Sequence, residues 1–475
     1  MSSHGIESGK IHEASASVLR DAHLQGAYKS STLRLYTERL HAIEGVPGFE
    51  RLRQRGRALK REVIEHLDEY ASQFADSVER NGGRVHWALN AEEVCSFVLK
   101  IAQDAGATEV VKAKTMVSEE VGLNHYLESA GIRGIESDLG ELIVQLADER
   151  PAHIVAPAIH KTRQDVSNLF VNHLKCERTE EPERLTAIAR RALRECFARA
   201  RVGLSGANFA VADTGAIVLV ENEGNIRFST TAPRIHIALV GLEKIIPRFE
   251  DLAVFLRLLP RSGTGQKLTA YTSILTGPRR HGEDGPEAMH VVLVDNGRVG
   301  MLADEKMREA LYCIRCGACL NACPVYRKIG GHAYGWVYSG PIGALVTPSM
   351  VGLGAARELP FASSLCGACR EVCPVQINIP DLLLHLRAKS QELPPARKPP
   401  GAPVSERGSM RFWAFVMLRP WLYRFASGLA RLGQRLYARN QWIQKLPVYP
   451  ASQWTAGRDF PALAKMTFRK RWKHL

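Results

Sequence analysis

The sequence lacks the signatures of several common cofactor sites. No G-x-G-x-x-G segment follows an apolar run and opens a helix, so a dinucleotide site of the Rossmann type is not expected. The segment SGTGQKLT at residues 262–269 lacks the G-K-[ST] ending of a phosphate-binding loop, which argues against a nucleoside triphosphate site. A redox protein without a two-electron cofactor of its own must exchange electrons with a partner.

Long apolar runs are also missing. No window approaches the roughly eighteen uninterrupted apolar residues that a transmembrane helix needs. The N-terminal stretch from Met1 to Lys10 is polar and has no apolar segment of the kind found in secretory signals. We therefore expect no membrane-spanning helix, no secretory leader and a cytoplasmic location.

Acidic residues are nearly absent from the end of the chain. Residues 393–475 carry 16 Lys and Arg but only Glu406 and Asp459, which accounts for the whole net charge of +14. A proline-rich linker, PPARKPPGAP, precedes an amphipathic helix expected at 411–436 and interrupted at Pro420, in which aromatic residues are interleaved with arginines. This segment fits docking on protein better than contact with an anionic membrane surface, which is the second possibility. Nucleic acid is not expected, because no binding module accompanies the charge.

Cysteine is scarce except in one region, where its spacing is typical of iron–sulfur proteins. Seven of the ten cysteines lie between residues 313 and 373. The first four follow C-x-x-C-x-x-C-x-x-x-C-P, the spacing of bacterial ferredoxins, and the other three end in a second Cys-Pro pair. A zinc ribbon closes with four ligands and has no use for a third cysteine two residues after the second. Disulfides do not suit so dense a cluster in so long a chain.

The two motifs are expected to be interleaved, because in two-cluster ferredoxins the fourth cysteine of a motif binds the other cluster. This rule gives one [4Fe-4S] cluster four ligands, namely Cys313, Cys316, Cys319 and Cys373. It gives the second cluster only three, namely Cys323, Cys366 and Cys369. Ser363 occupies the missing position, three residues before Cys366. Either a non-cysteine ligand completes the second cluster or one iron is absent or open, and we favour a non-cysteine ligand.

Upstream of the cysteines, apolar strands alternate with helical periodicity, which predicts an α/β domain with a mostly parallel sheet. Strands are also expected at residues 153–156 and 226–229. The predicted organisation is a helical extension at 1–54, the α/β domain at 55–300, a mainly helical two-cluster domain at 301–392 and the basic, aromatic segment at 393–475.

Two polar stretches of the α/β domain are candidates for a binding site. In DTGAIVLVENEGNIR at 213–227, Asp213, Glu221 and Asn222 flank a buried-looking strand, and open α/β sheets bind ligands at strand ends. A solvated turn is an equal alternative. In KAKTMVSE at 112–119, Lys112 and Lys114 alternate along a strand and are expected to face water rather than an anion.

These stretches together resemble the lactate utilisation protein B family. The resemblance is carried by DTGAIVLVENEGN, TTAPRIHIALVGLEKIIP, TSILTGP, CIRCGACLNACPVY and SSLCGACREVCP, and it runs from about Leu52 to FRKRWK near the C-terminus. It implies a LUD domain of the NagB/RpiA/CoA-transferase-like α/β class, fused to a ferredoxin-type domain with two [4Fe-4S] clusters. The cysteines would be divided between the clusters in the way that their spacing predicts.

The resemblance also implies a function: an electron-transfer subunit of a system that oxidises L-lactate to pyruvate. Two other subunits would be its partners, a second LUD protein and a protein with a cysteine-rich domain. The resemblance assigns no catalytic residue in the LUD domain, so Glu221, Asn222 and Asp213 are candidates on their own chemistry alone. An alternative is an acyl- or CoA-transferase-like enzyme, with Glu221 as a carboxylate nucleophile and the clusters in a structural or regulatory role.

Overall fold

The computed structural model describes residues 10–392 and 404–447 and, within the remaining C-terminal stretch, residues 452, 455, 458–464 and 466–473. Contacts divide the chain into two compact units, Met1–Arg397 and Lys398–Leu475. The predicted proline-rich linker at residues 394–403 lies outside the described residues. No helix in the described ranges combines the length and apolarity needed to cross a membrane.

Four helices open the first unit: α1 (Ile11–Arg20), α2 (Ala22–Glu44), α3 (Phe49–Glu65) and α4 (Leu67–Arg80). Apolar residues recur at three- and four-residue steps in the last two, so each buries one face, including Val63 and Phe74. His66, with φ −124° and ψ 41°, separates α3 from α4.

Ten strands follow in this unit: β1 (Arg84–Ala88), β2 (Glu109–Lys112), β3 (Arg133–Glu136), β4 (Val202–Ser205), β5 (Phe209–Val211), β6 (Ala216–Glu221), β7 (Ile235–Gly241), β8 (Ile245–Ile246), β9 (Tyr271–Leu275) and β10 (Ala288–Val294). Six of them form one sheet in the order β1-β10-β7-β4-β2-β3, and every neighbouring pair is parallel. The predicted α/β class with a parallel sheet is therefore confirmed.

The other four strands form a smaller mixed sheet in the order β8-β5-β6-β9. β6 pairs antiparallel with both β5 and β9, while β5 and β8 are parallel. The stretch that we singled out around Glu221 thus ends a strand of this second sheet and not of the parallel one.

Eight helices connect these strands: α5 (Ala91–Asp104), α6 (Met116–Glu120), α7 (Leu123–Ser129), α8 (Leu139–Leu146), α9 (Arg163–Leu174), α10 (Pro182–Arg199), α11 (Asn225–Thr231) and α12 (Leu252–Gly263). The strand predicted at 226–229 is wrong, because the Glu221 carboxylate accepts hydrogen bonds from the amides of Ile226 and Arg227 and so caps the start of α11. The strand predicted at 153–156 is also wrong. There His153 Nδ1 accepts the amides of Val155 and Ala156, which bends the chain.

The cysteine-rich region is helical, as predicted: α13 (Arg298–Ala303), α14 (Ala318–Ala322), α15 (Tyr326–Ile329), α16 (Gly340–Val351), α17 (Ala368–Val372) and α18 (Ile379–Glu392). Its apolar side chains share one buried cluster with the mixed sheet and the N-terminal helices, including Phe74, Val218, Leu320 and Leu345. The cysteine motifs are therefore held against the α/β part by a continuous core.

The second unit contains α19 (Val404–Met417) and α20 (Pro420–Gly433), three two-residue strands and a short helix at Phe468–Trp472. Pro420 takes the first position of α20, where its missing N–H costs nothing. Large apolar side chains are widely exposed here, including Phe412 at 68%, Trp421 at 67% and Phe425 at 65%. The described residues of this unit thus present a wide exposed apolar surface.

Candidate metal centre and adjoining cavity

The two cysteine motifs fold alike. Arg315 and Leu365, each directly before a cysteine, have positive φ angles of 58° and 55°, which non-glycine residues rarely adopt. Gly317 and Gly367, each directly after that cysteine, have φ angles of 77° and 87° and precede the five-residue helices α14 and α17. These paired left-handed residues turn the backbone tightly around each cysteine.

The first site brings together cysteines from both motifs. A single small cavity is lined by four of them, Cys313, Cys316, Cys319 and Cys373. The rest of its wall is mainly aliphatic, including Ile342, Val375 and Ile377. Four cysteines that line one small, mainly apolar cavity are a donor set that fits an iron–sulfur cluster.

Electrostatics make the thiolate form of these cysteines depend on a bound cation. Burial, together with the neighbouring thiols, raises the pKa of Cys316 to about 12 and that of Cys373 to about 11. Backbone amides point at two of the sulfurs, from Arg315 to Cys313 Sγ at 3.4 Å and from Ile377 to Cys373 Sγ at 3.3 Å. Ligand sulfurs must be deprotonated, and only a bound cation offsets the repulsion between so many buried thiolates.

The second site has three cysteines and is more open. Cys323 and Cys369 are buried, whereas Cys366 is exposed. Burial, and then the nearby Cys323 and Cys366, raise the pKa of Cys369 to about 12. The amide of Tyr326 donates to Cys323 Sγ at 3.4 Å. The three thiols are thus mutual neighbours.

Ser363 stands in this second site where Cys313 stands in the first. The amide of Leu365 donates to Ser363 Oγ at 3.1 Å, just as the amide of Arg315 donates to Cys313 Sγ at 3.4 Å. The peptide oxygen of Ser363 accepts from Arg387 Nη2 at 3.1 Å, which fixes this turn. A hydroxyl therefore replaces the fourth thiol in an otherwise repeated loop.

A larger cavity of about 310 Å³ adjoins the first site. Cys316 and Arg315 line both cavities. Charged side chains from several elements line the larger one: Lys114, Asp138, Glu221, Glu223, Lys244 and Arg315. The cavity thus connects the α/β part directly to a cysteine of the first site.

The structure brings together two of the three candidate residues of the α/β domain. Glu221 and Asn222 both line the larger cavity, whereas Asp213 lies beyond the other end of β6 and accepts the amide of Phe249 at 3.2 Å. Both oxygens of Glu221 accept backbone amides, at 2.8 and 2.9 Å. Asn222 Oδ1 accepts the amide of Ala270 at 2.9 Å. Both side chains therefore also hold local backbone in place.

The expectation that Lys112 and Lys114 face water is wrong. Lys112 is fully buried and donates to Glu136 Oε1 at 2.5 Å and to Asn124 Oδ1 at 2.7 Å. Lys114 is only 16% exposed and lines the larger cavity. Alternation along a strand separates two faces, but in a sheet covered on both sides neither face meets water. Acidic residues that follow in the sequence, such as Glu136, could have indicated that these lysines have buried ionic partners.

Arg315 is a functional candidate that the sequence did not single out. Its side chain is 7% exposed, and its guanidinium lies 4.4 Å from the centre of the Tyr338 ring and 3.5 Å from Glu243 Oε1. Burial alone would raise the pKa of Glu243. The neighbouring Arg298 and Arg315 outweigh burial and hold this pKa well below its usual range. Arg298 also donates twice to Glu120, at 2.9 Å each. A buried ionic network thus supports the first cysteine motif.

Three family models match the chain: a LUD domain over residues 71–294, a 4Fe-4S dicluster domain over 309–377 and the C-terminal part of lactate utilisation protein B over 385–474. A protein from Bacillus cereus named lactate utilization protein B is 41% identical over 469 residues, covering 98% of each chain. The protein of that name from Bacillus licheniformis is 42% identical over 466 residues, covering 98% of this chain and 96% of its own.

One solved structure also matches, a crystal structure of a DUF162 family protein from Deinococcus radiodurans. It is 16% identical, covers 48% of this chain and 98% of its own, and gives a TM-score of 0.28. A TM-score that low carries no argument about this fold.

Proposed function

The chain belongs to the lactate utilisation protein B family, and from that premise we propose that it is the electron-transfer subunit of a system that oxidises L-lactate to pyruvate. A role in lactate utilisation with an iron–sulfur component agrees with the family and with its dicluster domain. Oxidation of lactate to pyruvate releases two electrons and two protons. Carriers of single electrons can take those electrons up one at a time.

The ligands that we assign are the two interleaved sets of cysteines. One [4Fe-4S] cluster has Cys313, Cys316, Cys319 and Cys373, and a second has Cys323, Cys366 and Cys369. The observation that carries this assignment is the cavity of the first site, because cysteines from both motifs line it. At the second site, Ser363 Oγ is the atom that matches the fourth thiol. Bound at these thiolates, each cluster would supply a one-electron carrier.

The exposure of the two sites suggests which cluster exchanges electrons with the partners. The first site is enclosed, whereas Cys366 of the second is exposed, so that a partner can approach the second more closely. The partners that we propose are a second LUD protein and a protein with a cysteine-rich domain, all in the cytoplasm. The exposed aromatic side chains of the second unit, such as Phe412 and Trp421, would be covered by a partner subunit or, as a second possibility, lie on an anionic membrane surface.

The acyl- or CoA-transferase-like alternative finds less support. It requires the Glu221 carboxylate to be free to attack a carbonyl carbon. Both Glu221 oxygens accept backbone amides at the start of α11, and breaking these hydrogen bonds would leave the buried amide of Ile226 and the partly buried amide of Arg227 unpaired.

The experiment that tests the proposal is anaerobic reconstitution of the full chain, loaded with iron and sulfide, with its two partner subunits. L-lactate should bleach the visible absorption of the clusters and produce the electron paramagnetic resonance signal of their reduced forms. Omission of either partner should prevent the bleaching. The proposal fails if the complete system forms pyruvate while the clusters remain oxidised throughout turnover, including under conditions where electron removal is blocked.

A further inference from the structure

The geometry points to a ligand site in the larger cavity. We propose that this cavity binds a small 2-hydroxy- or 2-oxocarboxylate anion between Lys114 and Arg315, and that Arg315 transmits its occupancy to the first cysteine site. This inference rests on the proposed function only for the identity of the carboxylate, since the contacts by themselves indicate an anion.

The cavity contains cationic donors that the fold leaves unused. Arg315 Nε and Nη1 are buried and find no hydrogen-bond partner among the described residues. Lys114 Nζ is buried in the same way, and its nearest acidic atom, Glu141 Oε1, lies 3.9 Å away. Buried charged donors without acceptors are costly, and a carboxylate offers two oxygens that accept several hydrogen bonds. An anion in this cavity would remove that cost.

Acidic side chains of the cavity favour a ligand with a second oxygen next to its carboxylate. Glu223 is an exposed residue, yet desolvation of its carboxyl group in the cavity, and then the neighbouring Asp138, raise its pKa above the usual value, so this side chain can donate as well as accept a hydrogen bond. Glu223 Oε2 accepts the amide of Leu139 at 3.1 Å, which fixes the carboxyl group in place. A 2-hydroxyl or 2-oxo group suits such a partner.

Charge and volume limit the ligand further. Lys114, Lys244 and Arg315 face the three acidic groups Asp138, Glu221 and Glu223 across one cavity, so the site suits a monoanion better than a polyanion. A volume of about 310 Å³ lies at the lower end of ligand pockets, which leaves room for a small acid and a few waters.

Arg315 links this cavity to the first cysteine site. It lies between Cys313 and Cys316 in the sequence, and Cys316 itself lines both cavities. A carboxylate bound at the guanidinium would cancel positive potential next to these sulfurs. Since added negative charge disfavours the uptake of an electron, binding should lower the reduction potential of the first cluster and leave the more distant second one unchanged.

The test uses the full chain, loaded with iron and sulfide under anaerobic conditions, without partner subunits. L-lactate, pyruvate, neutral lactamide and inorganic phosphate are titrated by calorimetry. The paramagnetic signals and midpoint potentials of the dithionite-reduced protein are recorded with and without each compound. We expect the two carboxylates to bind one per chain, lactamide and phosphate to bind at least about tenfold more weakly, and one cluster to shift to a lower potential.

Two charge variants separate a ligand site from a general charge effect. Lys114→Gln should weaken carboxylate binding about tenfold or more, with iron content and ligand-free signals unchanged. Lys100→Gln is the matched control, because Lys100 is exposed on α5 and does not line the cavity. If Lys114→Gln fails to fold, Lys244→Gln tests the same cavity from another element, with the same expectation.

The proposal is overturned if lactamide or phosphate binds as tightly as L-lactate, if Lys114→Gln and Lys100→Gln bind alike, or if neither cluster responds to a bound carboxylate. Its failure is distinguishable from failure of the proposed function. If L-lactate reduces the clusters in the presence of the partners but no carboxylate binds to this chain alone, only the cavity assignment is refuted. If carboxylates bind to this chain but L-lactate does not reduce the clusters in the complete system, only the electron-transfer role is refuted.

Discussion

The first cysteine site is enclosed and offers four thiols, whereas the second offers three thiols, one of them exposed, and a serine hydroxyl in the fourth position. The two loops share their left-handed residues and their following helices, so the backbone does not explain the contrast. One turn geometry can therefore build both a more buried site and a more accessible one. What differs is the surrounding protein, because the first motif packs against the ionic network and the larger cavity of the α/β part.

The largest effect is expected when one of the interleaved ligands is removed, because that ligand belongs to one motif in the sequence and to the site of the other motif in space. Cys373→Ser should destabilise the cluster of the first site, although Cys373 lies in the second motif, with loss of up to about half of the bound iron, because a hydroxyl is a weaker iron ligand than a thiolate. Iron and sulfide analysis with electron paramagnetic resonance spectroscopy measures this. The control is Cys176→Ser, at a cysteine far from both motifs in sequence. Selective loss of the signal from the second site would contradict the interleaved assignment.

The buried ionic network should contribute more to the stability of the protein than an ion pair at the surface does. Arg298→Met leaves Glu120 and Glu243 buried without their shared partner and should lower the free energy of unfolding by about 3–5 kcal/mol. Denaturant titration of the anaerobic protein measures the loss. An exposed arginine offers the control: Arg234→Met removes an ion pair to Glu287 at the surface and should cost far less stability than Arg298→Met. Equal losses for the two variants would show that the network is not what supports this motif.

Restoring a fourth thiol should reduce the difference between the sites. Ser363→Cys is expected to change the paramagnetic signal of the second cluster only and to slow the removal of its iron by a chelator several-fold, because a thiolate then completes the ligand set. Ser364→Cys places a thiol one residue away on an exposed position and should have neither effect. If the two variants behave alike, position 363 does not face the second cluster.

A smaller effect is expected from histidines outside both sites. Burial, and then His290, lower the pKa of His236 to about 4. During acidification the folded protein therefore takes up this proton at a lower pH than the unfolded chain, in which the pKa is near 6.5. The stability from neutral His236 is therefore fully present above about pH 6.5 and is lost as the pH falls toward 4. Unfolding midpoints measured across this range should decline less steeply for His236→Asn than for the unaltered protein. An equal decline would assign the acid sensitivity to other groups.

The sequence predicted much of the α/β part and of the metal centre because their signals are local. Cysteine spacing alone grouped Cys373 with Cys313, and the structure places both in one cavity wall, while alternating apolar segments predicted the parallel sheet. The grouping of cysteines from distant motifs could be predicted because a two-cluster fold has few ways to divide its cysteine ligands between the clusters.

The remaining features depend on tertiary contacts that no local pattern contains. Residues 226–229 have strand-like composition, yet the carboxylate of Glu221 nucleates a helix there through its hydrogen bonds to Ile226 and Arg227. Lys112 was placed in water because lysine usually lies there, but Glu136 on the neighbouring strand neutralises it inside the protein. Arg315 was unremarked for a similar reason: its role follows from Tyr338 and Glu243, which the fold brings to it.

The most direct test of the central claim is analysis of anaerobically purified protein for iron, acid-labile sulfide and zinc, together with its spectrum after reduction. The account predicts about eight irons and eight sulfides per chain, and two distinguishable paramagnetic signals, one from each site. Colourless protein that contains zinc and no sulfide would contradict it.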